Sequence, residues 1–250
     1  VTLMDRASRI MEQGMPTALR GATQPAGRLA GLASPVRQIL VINAKGGCGK
    51  TTIATNLASY YARQGRGTVL IDHDPQGSSM QWLSLRSSEA KPIHGVSAHR
   101  PVVSGVTRSF LLRIPDGAER VVLDAPAGVQ GHQLIELMRE IDAILIPVLP
   151  SPIDIHAASR FIQDLLLVAK VRARNIRVGV VANRVRENTK VYQSLEKFLN
   201  SLHIPFVARL RDTQNYVRAA ETGLGVHDLK RSGASQDQRQ WEALIRWLEQ

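Results

Sequence analysis

Ala44-Lys45-Gly46-Gly47-Cys48-Gly49-Lys50-Thr51-Thr52 stands between an apolar block at 39–43 and a helical pattern at 50–63. Its glycines, Gly46, Gly47 and Gly49, let the backbone turn so that successive N–H groups converge, and the N-terminus of the following helix adds the positive end of its dipole. Such a nest binds phosphate. Lys50 is placed to reach terminal phosphates and the Thr51 hydroxyl to ligate Mg²⁺. The pattern departs from G-x-x-x-x-G-K-[ST] in one respect: Ala44 takes the first glycine position, and an additional lysine, Lys45, follows it.

Outward from this loop, apolar runs of strand length alternate with amphipathic stretches of helix length. Strands are expected at 39–43, 68–72, 120–124, 143–148 and 177–182, with a shorter one near 206–209. Each is an almost unbroken apolar block, as strands buried on both faces of a parallel sheet require. Helices are expected at 50–63, 130–139, 155–171, 189–202, 213–222 and 236–248. The alternation predicts an α/β fold: a doubly wound, mostly parallel sheet with helices on both faces. In such sheets ligands lie beyond the carboxyl ends of the strands, which directs attention to Asp72, Asp74, Asp124 and Asn183. Residues 1–38 hold three prolines, four glycines and five arginines against Asp5 and Glu12, without periodicity, and read as a basic flexible arm before a domain at 39–250.

The loop Lys45–Thr52 resembles the deviant Walker A motif of the ParA/MinD family of partition and positioning ATPases. The resemblance implies a P-loop ATPase using ATP and Mg²⁺, with nucleotide held by Lys45, Gly46, Gly47, Cys48, Gly49, Lys50, Thr51 and Thr52. It also implies a homodimer that sandwiches two nucleotides, in which Lys45 reaches the phosphates bound by the other subunit. A cation supplied in trans would make hydrolysis depend on dimerisation. Ile71-Asp72-His73-Asp74-Pro75-Gln76-Gly77 is similar to the family's switch I, and Val121-Val122-Leu123-Asp124-Ala125-Pro126-Ala127-Gly128 to its Walker B and switch II. On that likeness Asp74 orients the attacking water, making Lys45, Lys50 and Asp74 the catalytic set, while Thr51, Asp72 and Asp124 serve the metal. Asn183-Arg184 resembles the adenine-side position, although a lone Asn after a strand equally suits a turn. Pro150-Ser151-Pro152-Ile153-Asp154 opens the next helix as related partition ATPases do, and Asp154 also reads as a helix N-terminal cap.

The composition narrows the partners. The net charge is +11, and one cysteine, Cys48, excludes an internal disulfide and the paired-cysteine cluster of iron-protein relatives. Without an apolar run of about 18 residues no membrane span is expected, which together with the lone thiol fits a reducing cytoplasm. Basic residues gather at 170–197 and again at Arg209, Arg211 and Arg218. In ParA relatives such residues hold nonspecific double-stranded DNA, so Lys170, Arg172, Arg174, Arg186, Arg211 and Arg218 are the DNA candidates, implying a nucleoid-associated protein. Scarce aromatics argue against single-strand stacking. The resemblance also implies a ParB-like or cargo-adaptor protein that stimulates hydrolysis. It leaves the cargo open between a plasmid or chromosome and a protein body such as a carboxysome or chemoreceptor cluster. A MinD-like membrane-cycling regulator is the alternative. It is disfavoured by the last helical pattern, where Trp241, Leu244, Ile245 and Leu248 share a face while Arg239 and Arg246 mix with Glu242 and Glu249. A metabolic ligase on the same nucleotide fold is disfavoured by Lys45.

Overall fold

The computed structural model of the chain describes residues 37–99, 114–186 and 204–250, with 193, 196 and 197 besides. The arm expected at 1–38 and the helix expected at 189–202 fall almost wholly outside these residues. The described elements are β1 (Arg37–Val41), α1 (Lys50–Arg63), β2 (Thr68–Asp72), α2 (Ser78–Ser84), β3 (His94–Ser97), β4 (Arg120–Asp124), α3 (Gly131–Leu137), β5 (Ala143–Val148), α4 (Pro152–Leu167), β6 (Arg177–Val185), β7 (Phe206–Arg211), α5 (Gln214–Ala220) and α6 (Arg231–Leu248). The strands form one sheet in the order β3-β2-β4-β1-β5-β6-β7, and every pairing is parallel.

Strand composition explains the layering. Successive residues of β1, β4 and β5 alternate between the two faces, and both faces are apolar. Leu40, Val121, Leu123, Ile144 and Ile146 pack under α3 and α4 with Leu134, Phe161 and Ile162. Ile39, Val41, Val122 and Leu145 pack under α1, α2 and α6 with Ile53, Leu57, Trp82, Trp241 and Leu244. Polar positions are therefore confined to the strand ends. The order reverses at β1, which lies between β4 and β5, so the loop leaving β1 opens at the sheet's topological switch point.

α6 is part of this core. Trp241, Leu244 and Leu248 are at most 1% exposed, so the apolar face that a membrane-seeking helix would present is covered. No helix among the described residues is long and apolar enough to cross a membrane. Its C-terminus meets three arginines, each the first residue of a strand. Arg37 Nη1 donates to the Leu248 carbonyl, Arg177 donates to the carbonyls of Trp247 (2.7 Å) and Leu248 (3.0 Å), and Arg120 Nη2 pairs with the Glu249 carboxylate at 2.7 Å. These contacts satisfy orphan helix carbonyls and complement the negative end of the dipole. They also correct part of the charge reading, because Arg177 belongs to this structural clasp and not to a solvated basic face. Glu249 also accepts from Tyr61 Oη at 2.9 Å. Glu249→Ala is expected to cost about 1–3 kcal/mol, by stranding the buried Arg120 guanidinium, and to leave nucleotide affinity unchanged. Urea unfolding beside a nucleotide titration checks both halves.

Candidate nucleotide and metal site

The loop is built by residues beneath it. Asn43, 2% exposed at the end of the first apolar block, donates from Nδ2 to the Pro147 carbonyl at 2.7 Å and accepts from Lys45 N at 3.3 Å. Gly128 N donates to the Ala44 carbonyl at 2.9 Å, which ties the loop to the segment after β4. Gly47 (φ 75°) and Gly49 (φ 95°) are left-handed. Gly49 is the N-cap of α1 and has no side chain with which to cap it, and the first turn carries no acidic residue. The N–H groups of that turn thus face the loop mouth as anion donors. Lys50 is 7% exposed and lays its ammonium across the loop, donating to the Lys45 carbonyl at 3.1 Å. Cys48 lies inside the loop at 0% exposure, its thiol directed at the same carbonyl at 3.3 Å. Burial pushes that thiol up, with Lys50 opposing.

Asn183 and Lys45 each have a partner that the sequence did not disclose. Asn183, read as an adenine-side residue or a turn, donates from Nδ2 to the Cys48 carbonyl at 2.9 Å and accepts from Arg184 N at 3.0 Å. Its amide braces the loop from below. Lys45 turns away from its own nest: Nζ lies 2.6 Å from Asp154 Oδ1, with the lysine side chain 38% exposed and the aspartate 9%. Asp154 is held in a capping arrangement at the start of α4, where its N–H donates to Ser151 Oγ at 3.1 Å and that hydroxyl contacts Oδ2. The cap expected of Asp154 is supplied by Ser151, the N-cap of α4, because the Ser151 hydroxyl reaches the Asp154 N–H three residues on; the ion pair of Asp154 with Lys45 is an addition.

The carboxylates meet because β2 and β4 are neighbours in register, with Asp72 opposite Asp124. Asp72 (0% exposed) is occupied by backbone. Oδ1 accepts from Asp74 N at 2.9 Å, and Oδ2 accepts from Ser79 N at 3.0 Å and Met80 N at 3.2 Å. It thereby caps α2 from a distance, since the N-cap residue there is Gly77. Asp74 accepts from Gln76 N at 2.9 Å within a turn that Gly77 N closes on the Asp74 carbonyl. Asp124 is 1% exposed, and Ser79 Oγ donates to its Oδ2 at 2.5 Å. Burial pushes its carboxyl up to about 6. The hydroxyls of Ser79 and Thr51 pull it down, the Asp72 carboxylate pushes it up and Lys50 pulls it down. Although Thr51 is close enough to act on the carboxylate, Asp124 Oδ1 is buried without a donor in hydrogen-bonding geometry. A buried, unpartnered carboxylate oxygen beside a threonine at a phosphate nest suits Mg²⁺, a hard cation that takes oxygen ligands and keeps several waters. Thr51 and Asp124 would hold it; Asp72 shapes the loop between them. The ion would supply positive charge against the terminal phosphates.

Toward β6 and β7 the site widens into a cleft of about 320 Å³ lined by Pro150, Asp154, Arg184, Arg186 and Asp212. The profile of the CobQ/CobB/MinD/ParA nucleotide binding domain matches residues 39–226. The chain belongs to that family. It is 31% identical over 202 residues to Maintenance of carboxysome distribution protein A of Halothiobacillus neapolitanus, covering 79% of this chain and 89% of that protein. It is 42% identical over 72 residues to the chromosome-partitioning ATPase Soj of Thermus thermophilus, covering 26% of this chain and 29% of Soj. Among solved structures, a Cyanothece McdA–ATP complex superposes with a TM-score of 0.63 at 16% identity, covering 85% of this chain and 97% of that one. MinD of Aquifex aeolicus gives 0.63 at 18% identity, covering 86% and 98%. The chain is thus a member of a family of P-loop NTPases, and its sheet and helices follow the McdA and MinD fold.

The six DNA candidates do not form one patch. Lys170, Arg172 and Arg174 are exposed between α4 and β6, at the amino end of that strand, whereas Arg186 follows the carboxyl end of β6 and Arg218 is exposed on α5 beyond β7. Nine residues of β6 separate the two groups, about 30 Å of extended chain. Arg211 differs from the others in being engaged by the fold. Its guanidinium, one-third exposed, pairs with the fully buried Asp237 and donates to Gln236 Oε1 at 2.6 Å, so much of its charge is offset within the chain. The sequence also gave no warning of Ser79, which bridges both carboxylates, and hinted at Asn43 only as a polar residue ending an apolar strand.

Proposed function

We propose that this chain is a ParA-like positioning ATPase with a deviant Walker A loop. Two copies close on a pair of Mg–ATP molecules, each lending Lys45 to the other's pocket. The closed pair binds duplex DNA without sequence preference and thereby associates with the nucleoid. A ParB-like or cargo-adaptor protein stimulates hydrolysis, which opens the pair and releases it. The observation that carries this reading is the division of labour between the two loop lysines. Lys50 lies over its own nest, while Lys45, partly exposed at the rim, is held outside it by Asp154. A lysine that its own loop does not use is available to a partner's phosphates. Likeness to a carboxysome distribution protein over most of its length favours a protein body as cargo. A MinD-like membrane cycle draws no support from α6, whose apolar face is buried.

Light scattering with Mg²⁺ and a non-hydrolysable ATP analogue tests the core of the proposal: the mass doubles, and a monomer at saturation refutes it. Lys45→Ala keeps the backbone carbonyl on which Lys50 rests, so nucleotide still binds while turnover falls about 10²-fold or more. Asp74→Ala, which removes the group proposed to orient water, leaves ATP bound and holds the pair on DNA. DNA retention is expected to fall about 10³–10⁵-fold between 50 and 200 mM salt if six to ten phosphates are engaged. Because the basic residues divide between two ends of β6, Arg172→Ala with Arg174→Ala is compared with Arg218→Ala. The set that carries the contact loses affinity equally for unrelated duplexes.

A further inference from the structure

Ser79 is the second residue of α2 and is 0% exposed. Among the described residues it hydrogen-bonds to both carboxylates of the nucleotide site: its N–H donates to Asp72 Oδ2 at 3.0 Å and its hydroxyl donates to Asp124 Oδ2 at 2.5 Å. The consequence for Asp124 is geometric. A buried carboxylate with two equivalent oxygens and no donor is free to rotate about its Cβ–Cγ bond. With Oδ2 engaged, the group is fixed, and Oδ1 is the oxygen left buried without a hydrogen-bond donor. Met80 N also donates to Asp72 Oδ2, at 3.2 Å, so the first turn of α2 cannot shift without disturbing that carboxylate too. Outer-shell hydrogen bonds of this kind orient metal-binding carboxylates.

We propose that Ser79 is the positioning residue of the divalent-cation site, selecting which oxygen of Asp124 faces the Mg²⁺ that accompanies nucleotide. This rests on the nucleotide-binding reading above. The role needs a short side chain with one donor at a buried N2 position, which serine meets and alanine does not.

The test uses the full chain, a fluorescent non-hydrolysable ATP analogue and magnesium titrated from an EDTA-buffered zero. In Ser79→Ala the Mg²⁺ concentration for half-maximal tightening rises about 10–100-fold, while affinity for the analogue without magnesium stays at the wild-type value. Ser79→Thr, which restores the hydroxyl, brings the magnesium midpoint back toward wild type, and thermal unfolding in EDTA reports the folded state of each variant. An unchanged magnesium midpoint in Ser79→Ala overturns the proposal. So does a parallel loss of magnesium-free affinity, which would mark a packing residue. Failure of the wild-type chain itself to bind the analogue overturns the underlying nucleotide reading, and that result is distinguishable from the other two.

Discussion

Asp124→Asn is expected to make the protein more stable without nucleotide and cation, and to abolish the magnesium-dependent turnover proposed for it. Burial holds the Asp124 carboxyl at about 6, against an ordinary 3.8. Between about pH 4 and pH 6 the folded chain therefore keeps a proton that the unfolded chain has lost. Stability contributed by this group falls as pH rises through that window, and the whole penalty is present at neutral pH. The difference of about two pKa units corresponds to about 3 kcal/mol. Asparagine removes the charge but places an amide N–H₂ in the same space, so a net gain of about 1–2 kcal/mol is expected at pH 8 in EDTA. The gain shrinks as pH falls through that window, because the folded wild-type carboxyl takes up its proton, and below about pH 3 the carboxyl is protonated in both states. Thermal unfolding of both proteins across pH 4–8 checks this. An asparagine variant no more stable than wild type at pH 8 would mean that the buried carboxylate carries no such cost. Loss of the proposed turnover in the same variant would identify what the cost maintains: an anionic oxygen kept ready for a cation.

The second large effect is expected at Gly49. Its φ of 95° disfavours any residue with a Cβ, and a Cβ there would lie 2.1 Å from Asn183 Nδ2. Gly49→Ala must displace Asn183, which breaks the bond from Nδ2 to the Cys48 carbonyl and lets the loop floor move. Left-handed strain of about 1–2 kcal/mol and the stranded buried amide of about 1–3 kcal/mol together give a loss of about 2–5 kcal/mol. Nucleotide affinity is expected to fall at least about 10²-fold, because phosphate binding depends on N–H groups aimed within a narrow range. Gly47 is the control. It is also left-handed (φ 75°), yet a Cβ there meets nothing within 4 Å, so Gly47→Ala incurs the strain alone. Combining Gly49→Ala with Asn183→Ala removes the collision and recovers part of the stability; additivity of the two changes would show that the residues are not coupled.

Much of this was legible because the decisive signals are local. Four of the strands are continuous apolar blocks whose ends fall at or near polar residues, and β2, β4 and β5 occupy the spans their composition predicts. The phosphate loop could be read because glycines, lysine and threonine act through backbone conformation and short reach. β3 and α2 were not foreseen. β3 has four residues, two of them exposed, and places Gly95 where a Cβ would strike Leu83 of α2 at 2.4 Å. α2 is seven residues long, begins after a glycine, and takes its cap from Asp72, six residues before its start. That cap depends on tertiary structure and leaves no trace at the helix's own N-terminus. The same holds for Asn183, Arg177 and Arg211, whose partners Cys48, Leu248 and Asp237 are 135, 71 and 26 residues distant. Charge counted along the chain cannot distinguish an arginine that braces a helix from one that awaits a polyanion.

The three arginines that grip the end of α6 have a consequence for how the chain reaches its native state. Arg37 starts the central strand, and its carbonyl partner lies 211 residues later. During vectorial synthesis the ribosome therefore releases β1, β4 and β5 well before the segment that roofs Val41, Leu145 and Val207. Until α6 docks, the part of this face that α1 and α2 do not cover is greasy and exposed, a species prone to self-association and a natural client for a holding chaperone.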